Sequence, residues 1–419
     1  MSNHEHPAPI QAPYFTKGTL VLVGLALFGA AAYIYRLAYG LGAATHLNDQ
    51  YPWGIWIAID VASGVALAAG GFTTAALADI FHKGRYHSVV RPALLTAMLG
   101  YTFVVIGLLA DLGRYYNVWH PMLPSMWQGN SVLFEVGMCV MIYLTVLYIE
   151  FLPIVVERFR GRVHLPGLLA GLDRLAESFL EIAGRTLGRV TSVFIIAGVV
   201  LSCLHQSSLG TLLVIAPTKM HPLWYTPISP LLFLLSAIAV GFPMVIFESI
   251  LASRSFRLKP EKKVLSSIAG YTPILLGVYL ALKIGDITLR EAWPHVAAFS
   301  TESWFWIAEI VIGVVLPIVI LSSHKMRRSV GGLFAGASLV IAGVLMNRIN
   351  VFLVAYRPLY AEGRYYPSIL EIAVTVGLIS TLVLVYRAMV RVFPVITVAE
   401  EEARQEDAAR TSIRAIASR

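Results

Sequence analysis

The sequence contains few cysteines and few charged residues. Of its 419 residues only two are cysteines, Cys139 and Cys203, and only 13% are charged, whereas 57% are hydrophobic. Each cysteine lies in an apolar run without a CxxC motif, which excludes a disulfide framework and an iron–sulfur site held by this chain. A soluble chain carries about 25% charged residues. The surplus apolar surface therefore requires lipid.

Long hydrophobic runs make up most of the chain. A helix needs about 20 apolar residues to cross the hydrocarbon core of a bilayer. Ten runs are of about that length: residues 19–39, 53–80, 92–110, 130–153, 190–213, 230–251, 266–284, 304–321, 330–354 and 369–393. None alternates polar and apolar residues as a barrel strand does. The sequence predicts an all-α polytopic membrane protein with about ten transmembrane helices.

The basic residues are distributed unevenly between the loops. When the loops are assigned alternately to two sides, 24 of the 32 lysines and arginines fall on the side that holds both chain ends. Positively charged loops stay in the cytoplasm, so we expect cytoplasmic tails at 1–18 and 394–419. The net charge of +8 thus reports topology and does not indicate nucleic-acid binding.

A short repeat indicates an internal duplication. Residues 152–155 in the fourth run and 316–319 in the eighth both read Leu-Pro-Ile-Val. An offset of four helices predicts two parallel four-helix bundles within a transmembrane domain at 19–393. One bundle would occupy about 53–213 and the other about 230–354, flanked by the first and last helices.

Ionisable residues inside the runs are candidates for function, because an unpaired charge in hydrocarbon is costly. Two of them, Glu135 and His205, lie among other polar residues on one helix face. These neighbours are Ser131, Cys139 and Tyr143 in the fourth run and Ser202 and Ser208 in the fifth, where Gln206 is adjacent to His205. We therefore expect a chemical role for Glu135 and His205.

The remaining ionisable residues have simpler interpretations. Asp111 and Arg114 are three residues apart, so an ion pair at the helix end explains them as well as function does. Three carboxylates close to helix ends are expected to be solvated: Asp286, Glu309 and Glu371. Of the eleven histidines only His205 lies well inside a run, which argues against a bis-histidine haem in the bilayer.

Seven motifs follow one another along the chain: YPWGIWIAID at 51–60, GRYHSVVRPALL at 84–95, DLGRYYN at 111–117, NSVLFE at 130–135, HQSSLG at 205–210, HPLW at 221–224 and VIFES at 245–249. Together they resemble the NrfD/PsrC superfamily of membrane subunits, and specifically its HybB branch, over about residues 18–395. The resemblance implies a subunit of the bacterial inner membrane that anchors a periplasmic iron–sulfur protein and a catalytic subunit. It also implies electron exchange with menaquinone or ubiquinone near the periplasmic face, without haem. Similar members occur in uptake hydrogenases and in cytochrome c-linked, Qrc-type menaquinone reductases, which this sequence does not separate.

Quinone reduction then assigns roles to the polar residues. A quinone needs groups that bind its carbonyl oxygens and a proton for each reduced oxygen. Glu135 and His205 are the expected catalytic proton donors. The expected quinone-binding residues are Asn130, Gln206, Arg114, Ser208, Trp53 and Tyr115. The expected proton pathway from the cytoplasm comprises Asp60, Asp111, Tyr143 and Glu248.

Two other functions are compatible with buried acids. A proton-coupled secondary transporter or channel would use the same carboxylates as a relay and would act without partners. The lack of Gly/Pro-interrupted helices at matching positions of two inverted halves argues against it. A passive membrane anchor would leave the buried acids unexplained.

Overall fold

Ten membrane-spanning helices form the body of the chain. The computed structural model describes residues 6–163, 171, 173–361 and 363–398. Within these ranges, the helices long and apolar enough to cross a membrane are numbered here as spans 1 to 10. They are Lys17–Tyr39, Trp56–Ile80, His87–Asp111, Val132–Phe159, Val190–Val214, Ser229–Phe256, Lys262–Leu289, Thr301–Ser322, Val330–Val354 and Ile369–Val392. The predicted all-α fold with ten spans is confirmed, and each predicted run overlaps one span.

Four spans consist of successive helical segments. Span 2 comprises Trp56–Ser63, Gly64–Leu67, Gly70–Ala75 and Ala76–Ile80, and span 7 comprises Lys262–Ala269 and Thr272–Leu289. Span 8 comprises Thr301–Ile310, Val311–Val315 and Leu316–Ser322, and span 9 comprises Val330–Ile349 and Asn350–Val354. The segments at 56–63, 76–80, 311–315 and 350–354 are π-helical. Such wide turns often mark functional positions, and here they contain or adjoin Asp60, Glu309 and Asn350.

Span 5 is the end of a longer helix. This helix runs without a break over Asp173–Val214, which is 42 residues or about 63 Å. Its first part packs on the end of span 4, where Leu180, Ala183 and Leu187 bury Val156. The long helix therefore extends beyond the membrane-spanning segment on the side where span 4 ends.

Short elements lie at the two ends of the spans. The short helices are Leu41–Ala44, Gly84–Tyr86, Tyr115–Asn117, His120–Met122, Pro124–Met126, Pro217–Lys219, Trp293–Ala297 and His324–Arg327. The strands His6–Ala8 and Ile396–Val398 pair antiparallel and bring the two ends of the described chain together. We call the face with this strand pair and the basic loops the basic face. The opposite face, with the loops near 40–55, 112–131, 215–228, 290–300 and 355–368, is called the far face.

Spans 1 and 10 pack against each other through glycines. A Cβ atom on Gly29 would lie 2.5 Å from the Cα of Gly377, and the reverse contact is equally short. Only glycine at both positions permits this approach. The Tyr33 hydroxyl donates to the Ile106 carbonyl oxygen at 2.8 Å and ties the pair to span 3.

Spans 2–5 contact one another, and so do spans 6–9. Span 6 also packs along spans 2 and 5, and one continuous apolar core extends through both groups. No gap in the described residues separates the two predicted bundles. The division at 53–213 and 230–354 stays a prediction.

Candidate functional site

Three rings meet in the interior of spans 3, 4 and 5. The buried His205 ring places Nδ1 2.8 Å from the Leu201 carbonyl oxygen, and its Nε2 hydrogen-bonds to the Tyr101 hydroxyl. A carbonyl oxygen only accepts, so Nδ1 carries hydrogen and the neutral ring accepts from Tyr101 at Nε2. The Tyr143 ring centroid lies 4.7 Å from that of Tyr101 and 5.5 Å from that of His205.

Two further buried side chains complete this group. Gln206 Nε2 donates to the Val65 carbonyl oxygen of span 2 at 2.7 Å. Ser202 lies beside the hydroxyls of both tyrosines. We call Tyr101, Tyr143, Ser202, His205 and Gln206 the histidine cluster. It joins four spans with hydroxyl, amide and imidazole groups in an otherwise apolar interior.

Glu135 and Ser208 form a contact above this cluster, towards the far face. The Ser208 hydroxyl donates to Glu135 Oε1 at 2.5 Å, and Ser208 follows His205 by three residues on the same helix face. Ser131 caps span 4 by accepting from the Phe134 amide at 3.3 Å, which places Glu135 in the first helical turn. The helix dipole favours a carboxylate there. Glu135 itself is exposed at the edge of the chain.

The other predicted quinone contacts are dispersed. Asn130 and Arg114 are exposed in the far-face loop. The Arg36 guanidinium lies over the Tyr115 ring, 5.3 Å from the centroid of that ring. Trp53 packs on Phe352 and Tyr356 of the second group of spans. Of the six predicted quinone contacts, Gln206 belongs to the histidine cluster and Ser208 contacts Glu135. The structure does not bring the other four to these residues.

The predicted Asp111–Arg114 ion pair is wrong. Asp111 Oδ1 is buried and has no hydrogen-bond partner among the described residues. The guanidinium beside it is that of Arg36, which donates to the carbonyl oxygens of Ala110 and Leu112. Arg114 turns outward because span 3 ends at Asp111 and the chain then leaves the helix.

Asp111 belongs to an acidic cluster between spans 1, 2, 3 and 10. Its charged neighbours include Asp60 and Glu371. Asp60 accepts from the Thr375 hydroxyl at 2.6 Å, and Glu371 accepts from the Tyr365 hydroxyl. Burial, and then the Glu371 carboxylate, raises the pKa of Tyr365 far above its ordinary value, so its hydroxyl stays protonated and donates. Asp60 therefore faces span 10 and contacts no member of the histidine cluster.

Spans 6–9 enclose a second polar cluster around Glu309, for which the sequence predicted only a solvated carboxylate. Glu309 is 2% exposed and accepts four hydrogen bonds at 2.7–2.9 Å. The donors are Lys283, Asn347, Asn350 and Trp224. Arg348 is wholly buried next to Asn347 Oδ1, at 2.5 Å. The predicted solvation of Asp286, Glu309 and Glu371 is thus wrong: all three side chains are at most 8% exposed.

Glu248 lies apart from the histidine cluster. It lines a cavity of about 50 Å³ at the basic face, together with Ser88 and Tyr386. Its Oε1 makes no hydrogen bond within the described ranges, and the hydroxyls of Thr96 and Tyr386 face it. The four predicted pathway residues therefore fall into three places: Tyr143 in the histidine cluster, Asp60 and Asp111 in the acidic cluster, and Glu248 at the basic face.

Comparison with known sequences identifies the family of the chain. The family described as polysulphide reductase, NrfD matches residues 43–359, which is about three quarters of the sequence. The chain belongs to the NrfD family. The resemblance seen in the seven motifs is thereby confirmed, since all seven lie within the matched region.

Three relatives cover nearly the whole chain. A protein of Nitratidesulfovibrio vulgaris is 37% identical over 91% of this chain and 95% of its own length. The probable Ni/Fe-hydrogenase 2 b-type cytochrome subunit of Escherichia coli is 31% identical over 93% of this chain and 95% of its own. The menaquinone reductase integral membrane subunit of Nitratidesulfovibrio vulgaris is 24% identical over 90% of each chain.

The donor set of this NrfD-family chain suits proton transfer. Imidazole and hydroxyl groups both donate and accept, and a carboxyl group does so once protonated. No group of three or more His, Cys, Asp or Glu side chains that could hold a metal occurs within the described ranges. That the chain carries no haem stays a prediction. Sequence reasoning missed Tyr101, although a tyrosine in the middle of an apolar run is itself a signal of a buried hydroxyl.

Proposed function

We propose that this chain is the quinone-reactive membrane subunit of a multi-subunit oxidoreductase in the bacterial inner membrane. It takes electrons from an iron–sulfur partner and reduces menaquinone or ubiquinone near the far face. Membership of the NrfD family and the name of the menaquinone reductase relative support this proposal. The electron donor is a catalytic subunit of the hydrogenase or the cytochrome c-linked type, which the iron–sulfur protein connects to this chain.

The proposed orientation has the basic face in the cytoplasm and the far face in the periplasm. The excess of lysine and arginine on the basic face supports it, because such loops are retained on the cytoplasmic side. The two ends of the described chain, at His6–Ala8 and Ile396–Val398, lie on that face, as an even number of spans requires. The iron–sulfur partner then docks from the periplasm.

The contact of Glu135 with Ser208 carries the assignment of the site. Glu135 is open at the edge of the chain, whereas Ser208 is buried and lies one turn from His205. A quinone arriving from the lipid meets Glu135 first, since Leu133 and Leu204 beside these residues are exposed apolar side chains. Protons reach it through Ser208 and the histidine cluster. His205 Nε2, which accepts from Tyr101 in the neutral ring, is the atom of that cluster that takes up and releases the transferred proton.

The loop at 112–131 supports docking of a partner at the far face. Its exposed side chains include large apolar groups that lie outside the spans. They are Tyr116, Trp119, Met122, Leu123, Met126 and Trp127. Exposed apolar side chains concentrated in one loop are typical of a protein interface. Asn130 and Arg114, exposed in the same loop, lie at its polar rim and would contact the partner or the quinone head group.

Purification and turnover of the complex test the proposal. A tagged chain should bring down a stoichiometric iron–sulfur protein, which a transporter or channel would not do. In that complex, His205→Ala and Glu135→Gln should each reduce quinone reduction by about 10²-fold or more, the usual contribution of a proton donor. Wild-type turnover in both variants would contradict the site assignment. Absence of the iron–sulfur partner would contradict the function.

A further inference from the structure

A wide cavity opens at the basic face between spans 2, 3, 4 and 5. Its volume is about 530 Å³, and its polar lining includes Asp79, His87, Arg91, Glu150 and Thr191. At about 30 Å³ per molecule, it has room for on the order of ten waters. The cavity therefore brings bulk water into the end of the same four spans that hold the histidine cluster.

Glu150 is the unpaired acid of this cavity. The other charged groups that line it have partners: His87 Nδ1 lies 3.8 Å from Asp79, and Arg91 donates to Glu157 at 2.7 Å. The Glu150 carboxylate makes no ion pair or hydrogen bond with any described residue. It is half-buried at the inner end of the cavity, so it exchanges protons with the cavity water without breaking an existing contact.

Gly198 joins Glu150 to the histidine cluster. A Cβ atom built on Gly198 would lie 2.8 Å from Glu150 Oε1 and 3.5 Å from Tyr143 Cε2. The missing side chain thus leaves a notch on span 5 in which the carboxylate and the Tyr143 ring meet. Any larger residue would displace the carboxylate.

The polar groups continue from this notch along one face of span 5. Ser202 follows Gly198 by four residues, His205 follows Ser202 by three, and Ser208 follows His205 by three, so they are stacked at successive turns. Ser202 lies beside Tyr143, and Tyr101 bonds to His205. Ser208 then meets Glu135. A line of protonatable groups therefore runs from the cavity that holds Glu150, at the basic face, to Glu135 at the edge of the chain near the far face.

We infer that Glu150 loads protons from the basic face and that Gly198 provides the junction through which they pass to the histidine cluster. This rests on the proposed quinone chemistry and adds the route of its protons. The Glu248 cavity, of about 50 Å³, is lined by spans 3, 6, 7 and 10 and does not include any member of the histidine cluster. The geometry thus separates Glu150 from Glu248, while it brings Glu150 close to Tyr143 of the predicted pathway.

The proton balance is simple. Reduction of one quinone takes two electrons from the iron–sulfur partner and two protons that end on the quinol oxygens. Each proton enters as a hydrated proton that protonates Glu150. It then moves by exchange between the hydroxyls and His205 Nε2, each group releasing one proton as it accepts another. Because the protons cross most of the membrane from the basic face and the electrons arrive from the far face, turnover builds a membrane potential.

The whole complex in liposomes tests this inference. Quinone reduction is followed together with the potential, by a potential-sensitive dye, and the readout is the potential generated per electron. Glu150→Gln should lower it at least fivefold, and Glu150→Asp, which keeps an acid, should restore most of it. Gly198→Leu should lower it as well, without removing a titratable group. Glu181→Gln makes the same chemical change at an exposed position of the long helix, outside the cavity lining, and should behave as wild type.

A wild-type potential per electron in both Glu150→Gln and Gly198→Leu overturns the inference, whatever Glu248→Gln does. If Glu150→Gln does not assemble with the partner, Gly198→Leu decides the question, and a wild-type potential per electron in that variant overturns the inference. A wild-type complex that reduces no quinone contradicts the proposed function instead. If the wild-type complex reduces quinone and these variants generate the same potential per electron as wild type, only the proposed proton route is contradicted.

Discussion

Lys283 Nζ donates to Glu309 Oε1 at 2.7 Å in the interior of spans 6–9, where both side chains are almost wholly buried. Removing one partner leaves an uncompensated charge, at a cost of about 3–5 kcal/mol, whereas removing both is often neutral. We expect Glu309→Leu and Lys283→Met each to lower the thermal unfolding midpoint of the purified complex. The double variant should unfold closer to wild type than either single variant.

The exposed pair of Glu181 and Arg185 serves as the control for this experiment. Arg185→Ala should leave the midpoint unchanged, because a surface pair contributes at most about 1 kcal/mol. A double variant that unfolds at the sum of the two single effects would show that Lys283 and Glu309 act independently.

Tyr101→Phe isolates the hydroxyl that bonds to His205 Nε2. The ring remains, so its packing on Tyr143 is kept, while the imidazole loses its proton-exchange partner. We expect quinone reduction by the complex to fall by about 10²-fold. Tyr33→Phe, which removes a hydroxyl bonded to a backbone carbonyl elsewhere in the chain, should keep its turnover. Equal turnover in the two variants would remove Tyr101 from the proton route.

Gly29→Leu should separate spans 1 and 10. The new side chain would collide with the Gly377 backbone, whereas Gly24, five residues earlier on span 1, has nothing within 4 Å of its Cβ position. We expect a lower thermal midpoint and a lower yield for Gly29→Leu but not for Gly24→Leu. Limited proteolysis should also cut the N-terminal tail faster in Gly29→Leu, and uncut tails in both variants would argue against the tight crossing.

The far-face loop at His221 should loosen in acid. Burial, and then the Arg357 guanidinium, lowers the pKa of His221 below its ordinary value, and the neutral Nδ1 accepts from the Leu223 amide at 3.3 Å. A depressed histidine pKa contributes stability that is present above the unfolded value and is lost as the pH falls through the folded one. Hydrogen exchange of 220–225, corrected for its intrinsic pH dependence, should therefore increase below about pH 6. His221→Phe should abolish this increase, and its persistence would implicate another group.

The ten spans are predictable from the sequence because a bilayer demands long apolar helices and little else. Positions within a helix are predictable as well: the spacing that placed Ser202, His205 and Ser208 on one face holds in the structure. The burial of a residue is harder to predict from its position along a helix. Glu371 and Glu309 lie near helix ends and are nevertheless buried, since far-face loops fold back over them and supply Tyr365 and Trp224.

The sequence does not show which residues from distant parts of the chain contact one another. The neighbour of Asp111 is Arg36, which is 75 residues away, rather than Arg114, because the helix ends between the two nearby residues. Glu150 belongs to no sequence motif. Its proposed role depends on its proximity to Gly198 of span 5, which the sequence does not show. Asp60, placed on the proton path by depth alone, turns towards Thr375 of span 10.

The strand pair of His6–Ala8 with Ile396–Val398 also constrains biogenesis. Residues near the start of the described chain pair with residues near its end, and span 1 packs on span 10. Translation must therefore reach residue 398 before the strand pair can form, although span 1 can already contact span 3. A chain cut short before span 10 would leave span 1 without its glycine partner, a substrate that membrane quality-control proteases can recognise.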